Sequence, residues 1–441
     1  MNDSAPFGII RTAFAQLRGL RGALLNSIWL LADRVARILV GTILGVLIAR
    51  HLGPESYGLF SYAYALALMF GGLAAFGIDG ILLRELSVGK ANREVLLGST
   101  IGLRLLLGFA TYLIALAYTQ ATFGDSPLAM SLVAILSAVV LFQSIDALDC
   151  WFQSQLQSRF IVFARSGVFL IASITKIWLL MRGAGVKAFA YATLLEAVLT
   201  ALAVGAMFHI RGSKLSKLRF HRVFAIKLFR ESWPLAASSV FVIVTMQMDK
   251  ILLSIFATPK AVGIYSVAAQ LSSVWYIVPV ALGISVAPAL SRHYENPDLG
   301  TYPLLPHIYR ALSFLAISGA LLLTLVAPSL ISMLFGKRFL EATSVFAIHI
   351  WTGVFVFHVS IRTRILVAQR QQHLVTLLAL LTLITSVILN LVLIPRYGAL
   401  GSAVSSLIAW ALGTVVFPVF WMPTRASVVM FIRSVLPWPL R

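Results

Sequence analysis

From Ser27 to Met422 the chain is a succession of apolar runs separated by short polar stretches rich in Gly, Pro, Lys and Arg. Hydropathy places twelve runs, at 27–49, 57–83, 95–118, 128–150, 160–181, 188–208, 233–256, 262–290, 308–335, 340–361, 374–394 and 399–422. Each is about the length a helix needs to cross a bilayer core of roughly 30 Å. The pattern predicts an all-α polytopic membrane protein with twelve transmembrane helices. Composition supports this: the chain is 60% hydrophobic and 11% charged, too little polar surface to coat a water-soluble globule.

Within this pattern one stretch occurs twice. RHLGPESYGLFSYA at 50–63 and FATPKAVGIYSVA at 256–268 align at an offset of 205, pairing Pro54 with Pro259 and Gly58 with Gly263. Two further matches support a duplication. GAGVKAFAY at 183–191 pairs with YGALGSAVS at 397–405, and FQSQLQS at 152–158 with LVAQRQQ at 366–372. The matches predict two pseudo-symmetric six-helix lobes around a central cavity. Corresponding helices run the same way, so the repeats are parallel, related by an axis along the membrane normal. The predicted boundaries are an N-terminal arm at 1–26, an N-lobe at 27–208, a basic linker at 209–232, a C-lobe at 233–422 and a tail at 423–441. The C-terminal stretch mixes Met430, Phe431 and Trp438 with arginines, so it is too short and charged to span and suited to the headgroup layer.

Charge then sets orientation. The net charge is +20, which in a soluble chain would suggest nucleic acid. Here 21 loop Lys and Arg fall on the side of both termini and seven on the other, counting Arg362, Arg364 and Arg370 as loop residues. That bias places both ends in the cytoplasm and removes the need for a nucleic-acid partner. The opening segment lacks a short apolar core followed by a small-residue cleavage site, so it reads as a retained cytoplasmic arm. The 209–232 segment carries seven basic residues and no acid before Glu231. It reads first as a topological anchor and otherwise as a headgroup or partner contact.

Charges left inside the apolar runs are the candidate chemistry. The basic ones include Arg34, Arg37, Arg104, Arg165, Lys176 and Lys250, and the acidic ones Asp33, Asp79, Asp146, Asp149, Glu196 and Asp249. Each would cost at least ~2.5 kcal/mol facing lipid at the bilayer centre, so most should face a cavity or a partner. Asp33 and Arg37 are four apart, with Gly41 and Gly45 on the same line: an internal ion pair above a packing face, or a cavity stripe. Gln143, Asp146, Asp149 and Gln153 form a polar stripe three turns long. Arg165 and Lys176 share one side of a helix, as do Gln247, Lys250 and Ser254. Basic groups lining a space between helices imply an anionic, phosphate-bearing substrate. The carboxylates are counterions, proton relays or sites for a coupling cation such as sodium; the residues alone leave these open. No cofactor is called for. A single cysteine, Cys150, excludes an internal disulfide and a cysteine-cluster metal site. No Gly-rich Lys-Ser/Thr loop is present to drive transport with ATP. His349 reads as a buried, hydrogen-bonded histidine, and it and His358 are spaced poorly for a metal.

RHLGPESYGLFSYAYAL, FGIDGILLREL, DCWFQSQLQSRFIVFAR, MDKILLSIFATPKAVGIYSVAAQL and PRYGALGSAVSSLIA resemble, in order and spacing, bacterial polysaccharide repeat-unit flippases of the Wzx type. The similarity runs from about Asn26 to Met422. It implies membership of the multidrug/oligosaccharidyl-lipid/polysaccharide transporter group and alternating access around a cationic cavity. The implied cargo is a polyprenyl-diphosphate-linked oligosaccharide, moved from the cytoplasmic to the outer leaflet of the inner membrane for O-antigen, capsule or exopolysaccharide synthesis. The resemblance also carries a substrate role onto Arg37, Arg104, Asp249 and Lys250. The polysaccharide polymerase and chain-length regulator become candidate partners beside the membrane lipids. Two rivals belong to the same group. A lipid II flippase would add two C-terminal helices, and a multidrug/cation antiporter would favour an acidic cavity. An integral-membrane polymerase or ligase would need larger outer loops than these, so no enzymatic activity is expected.

Overall fold

The computed structural model describes residues 5–89, 92–124, 126–212, 214–295 and 302–435. Side chains are described for these except at 5–32, 34, 234, 235, 238, 284 and 288. Arg34 therefore lies outside the described side chains. Among the described residues, ten helical stretches are long and apolar enough to cross a membrane, and two of them, Val35–Val88 and Gln372–Phe420, are long enough to cross twice. Both are divided by a glycine that L side chains cannot easily replace. Gly53 sits at φ 76° and Gly398 at φ 54°, inside runs that otherwise keep helical hydrogen bonding. The result, among the described residues, is twelve spanning helices in two pseudo-symmetric six-helix lobes around a central cavity.

We number the helices α1 (5–52), α2 (54–75, continuing as Ile78–Val88), α3 (Arg93–Phe123), α4 (Pro127–Ser154), α5 (Ser158–Met181) and α6 (Val186–Arg211). The second half comprises α7 (Arg222–Phe256), α8 (Pro259–Trp275, continuing as Ile277–Tyr294), α9 (Leu305–Phe335), α10 (Ala342–His349, continuing as Thr352–Ala368), α11 (372–397) and α12 (399–411). A short α13 (Met422–Val435) follows. The helix starts are written in local chemistry. Asn92 accepts from the Glu94 and Val95 amides at the head of α3. Ser126 and Thr258 do the same for α4 and α8, each with proline in the next position.

The two copies of the repeated turn meet each other. A Cβ on Gly58 would lie 1.8 Å from the Pro259 carbonyl oxygen, and one on Gly263 2.0 Å from the Pro54 carbonyl oxygen. Each lobe thus seats its glycine on the other's proline carbonyl, a reciprocal contact that follows from the pseudo-symmetry. At this turn end, Tyr57 of α2 also donates to Gln270 of α8 at 2.7 Å, and Gln270 donates to the Thr42 carbonyl of α1 at 3.3 Å.

At the opposite, linker end the chain differs from the expected boundaries. Residues 219–221 lie along α3, where the Arg219 amide donates to the Glu94 carbonyl and the His221 amide to Ser99 Oγ. Gly98 and Gly102 leave the groove they occupy. The first turns of α7 then enter an N-lobe core. Leu228 and Ala236 pack with Phe76, Ile78, Leu82, Leu96, Leu97, Trp151 and Phe208, while Ile251 to Leu253 join the core built with α8 to α10. Helix α7 therefore belongs to both lobes.

One other expectation changes. Arg362, counted among loop cations, is buried within α10. Its guanidinium donates to the carbonyls of Gly413 and Thr414 at 2.9 and 3.0 Å, where α12 opens into a π turn over Leu412–Val416. The hydropathy run stops at 361, whereas the helix continues to Ala368. Helix α13, in the predicted tail, packs on α9 and α10. Phe431 meets the His358 ring at 4.5 Å, and Ser434 shares a 2.6 Å hydrogen bond with Ser313, which also bonds His358. Residues 436–441 lie outside the described residues.

Candidate substrate cavity

Between the lobes lies a cavity of about 680 Å³, within the range of small-molecule sites. Its wall takes residues from α1, α2, α4, α5 and α6 on one side and α7, α8, α10 and α12 on the other. Seven of the sequence-predicted site residues line it: Arg37, Asp146, Arg165, Lys176, Glu196, Asp249 and Lys250.

The N-lobe cations are not free. Arg37 Nε contacts both Asp33 oxygens at 2.9 Å, Asp33 accepts further from Ser166 at 2.7 Å, and the Arg37 guanidinium lies 5.1 Å over the Phe169 ring. Arg165 Nη2 bridges Asp146 at 2.5 Å and Asp149 at 2.7 Å. Lys176 pairs with Glu196 at 2.6 Å. The first stripe therefore does both things it was read for: Asp33 and Arg37 pair, and Arg37, Gly41 and Gly45 face the cavity. Such pairing lets charge sit inside a membrane protein without the full desolvation cost. It also makes the wall a network of matched charges rather than a set of exposed cations.

The C-lobe side is arranged differently. Lys250 hydrogen-bonds Gln247 at 3.2 Å and, among the described residues, has no carboxylate within ion-pairing distance. Asp249 next to it is buried and held by neutral donors. Asn390 Nδ2 donates at 2.7 Å, Ser406 Oγ at 2.7 Å, and the Tyr265 hydroxyl also donates to it. Asn390 Oδ1 and Ser402 Oγ are also buried, with no partner among the described residues. One lobe thus presents ion pairs, and the other an unpaired ammonium beside a shielded carboxylate.

Arg104 departs from its expected place. It is 3% exposed, outside the cavity wall, and its Nη2 lies 2.6 Å from Asp79 and 3.5 Å from the Ala75 carbonyl. Here α2 breaks, with Phe76 at φ 46° and Gly77 at φ 59°. Arg104 ties the last carbonyl before the break to the first acid after it. That placement suits the charges of the two helix ends. Cys150 Sγ approaches the same Asp79 oxygen at 3.4 Å. Asp149 stands behind Arg165 rather than on the wall, and Gln143 lines the cavity ahead of it. His349 is buried on the wall, but its Nδ1 has no partner among the described residues; its ring meets Tyr265 edge-on at 5.6 Å. The hydrogen-bonded histidine is His358, between the Val354 carbonyl at 2.7 Å and Ser313 at 2.9 Å.

Several wall residues escaped the sequence reading: Tyr57, Phe60, Tyr64, Gln270, Tyr276 and Trp410. The partners of Asp249 carried a signal that was available. Thr382, Ser386 and Asn390 recur every four residues in an otherwise apolar run, a buried polar face.

Comparison with known proteins agrees with this architecture. Residues 23–293, more than half of the chain, match the model of the polysaccharide biosynthesis protein family. The chain belongs to that family. It is 22% identical over 398 residues to the probable flippase AglR of Haloferax volcanii, covering 86% of this chain and 79% of AglR. Among solved structures it is similar to the lipid II flippase MurJ in an inward closed conformation, with TM-score 0.69, 18% identity, and 93% and 91% of the two chains covered. It is also similar to an inward-facing multidrug resistance MATE transporter of the MOP superfamily, with TM-score 0.67, 14% identity, and 91% and 96% covered. The chain shares its fold with these transporters, and it is a multi-pass membrane protein of the polysaccharide biosynthesis family.

Proposed function

We propose that this protein flips polyprenyl-diphosphate-linked oligosaccharide repeat units from the cytoplasmic to the outer leaflet of the bacterial inner membrane. The cargo would feed O-antigen, capsule or exopolysaccharide assembly. The observation that carries the reading is Lys250: an ammonium on the wall of an inter-lobe cavity, in a polysaccharide biosynthesis family, with no carboxylate paired to it among the described residues. A diphosphate is the ligand that such a cation lacks. Arg37, Arg165 and Lys176 can join it by exchanging carboxylate for phosphate oxygens, which keeps every buried charge matched. The polyprenyl chain stays in lipid.

Asp249 takes the coupling role in this scheme. Its cage offers hydroxyl and amide groups and no cation at contact distance, which suits a proton or a monovalent metal ion. Alternating access would separate the Gly58 and Gly263 contact at the turn end, which positive-inside bias makes the outer end. The similarity to an inward-facing transporter fits the closed contact there. The polymerase and chain-length regulator would receive the cargo.

Reconstitution in liposomes with a labelled polyprenyl-diphosphate oligosaccharide tests the proposal. Leaflet exchange that depends on the protein, and on Lys250, is expected. Absence of exchange under proton and sodium gradients alike would overturn it. Gradient-driven exchange of organic cations instead would favour the antiporter reading, to which the likeness to a multidrug transporter lends weight.

A further inference from the structure

Helix α2 is enclosed by protein along 54–75, where the exposed side chains are Glu55 at the turn and Tyr64. Tyr64 is 40% exposed, and it lines the cavity. It does not stand alone. Phe60 lies parallel to it, with ring centroids 6.1 Å apart and planes 7° apart, and Tyr57 follows at 6.5 Å and 21°. All three line the cavity, at positions three and four apart, so they share one helix face. Over seven residues the row runs about 10 Å along α2, from the closed turn end into the cavity. Its upper end is fixed, because Gln270 holds the Tyr57 hydroxyl at 2.7 Å. Its lower end is open: the Tyr64 hydroxyl has no hydrogen-bond partner among the described residues. The Lys176 and Glu196 pair and Thr193 lie on the same cavity wall.

We infer that Phe60 and Tyr64, backed by the buried Tyr57, form a stacking rail for the sugar rings of the cargo. The inference rests on the lipid-linked glycan reading and deepens it. A pyranose presents C–H bonds on its broad face and hydroxyls around its rim. The C–H face complements the electron-rich face of an aromatic ring. The rim needs donors and acceptors, which the Glu196 carboxylate, Thr193 and Gln270 supply at the edges of the rail. A hydrocarbon tail would use none of these polar groups. A diphosphate would be repelled by the ring faces and belongs with Lys250 and the arginines.

The test uses the full chain in liposomes with two labelled lipids, polyprenyl diphosphate bearing no sugar and the same lipid bearing several pyranose residues. Tyr64→Leu and Phe60→Leu keep apolar bulk and remove the ring face; Tyr64→Phe keeps the face. The leucine variants should lower the ratio of sugar-bearing to sugar-free exchange about tenfold, and Tyr64→Phe by no more than about twofold. An equal loss for both lipids would show a structural role and overturn the rail, as would an unchanged ratio. Wild-type protein that moves neither lipid would overturn the flippase reading itself. A competing aromatic cation that blocks wild-type exchange but not Tyr64→Leu would assign the rings to cation recognition instead.

Discussion

The reciprocal glycine contact makes a quantitative prediction. Replacing Gly58 by alanine puts a methyl group 1.8 Å from the Pro259 carbonyl oxygen, where ordinary contact begins near 3.4 Å. The obstacle is backbone on a proline-started helix, so no side chain can turn aside. The lobes must part by roughly 1.5 Å at the turn end, or the contact must break. Overpacking of this kind costs about 1–3 kcal/mol where the groups stay together. The cost falls only on the conformation in which the turns touch. At about 1.4 kcal/mol per factor of ten, the equilibrium should move roughly 5- to 150-fold toward the separated state. Spin labels at Glu55 and Thr258, one in each turn and both exposed, would report the change as a shift to longer distances. Gly263→Ala should act alike, since its Cβ would meet the Pro54 carbonyl at 2.0 Å. Unchanged distance distributions in both variants, with folded protein, would refute the argument that this contact holds the turn end shut.

Other expectations follow from individual side chains. Arg104→Ala should reduce folded protein rather than act on transport alone. It strands the pair with Asp79 at a helix break, at a cost on the order of 3 kcal/mol, discounted for the exposed carboxylate, read as a lower melting temperature in detergent. Lys250→Gln should keep the melting temperature while exchange of the diphosphate lipid drops at least about tenfold, the loss of one charge-assisted contact; normal exchange would remove Lys250 from the site. Asp249→Asn should leave exchange insensitive to an imposed ion gradient, checked by comparing rates with and without the gradient. Arg362→Met should loosen the π turn of α12, exposing carbonyls of Gly413 and Thr414 that lose their donors. Faster hydrogen exchange confined to α12 would confirm it.

How far the sequence carries the structure depends on the kind of fact. Span count and duplication were legible because a bilayer requires long apolar runs, and because Gly53 with Pro54 and the Pro259 turn stand at equivalent positions. Charge depth was legible too, and it led to Arg37 and Lys250. It could not tell Arg104 from Arg37. Both are guanidiniums within apolar runs, and which way each points depends on what packs beside α3 and α1. The Asp79 partner of Arg104 lies across a helix break that hydropathy passes over. Arg362 was misplaced because a run boundary drawn from apolarity excludes any arginine, even one satisfied by carbonyls. The aromatic face of α2 was invisible because Tyr and Phe look alike in a hydropathy window whether they meet lipid, core or a cavity.

Helix α7 adds a consequence for how the molecule can be divided. Its early turns complete the packing around Phe76, Leu97 and Phe208, while its later turns complete the wall around Asp249. A chain cut between Arg211 and Arg222 would release a first fragment with a bare apolar groove and a second with an orphaned greasy helix end. Co-expressed, such fragments should find each other through that groove, as a strand-exchanged pair does. A cut placed after residue 236 would instead leave the first fragment whole. Part of the second repeat thus completes the packing of the first, and the two halves are not separable at the linker.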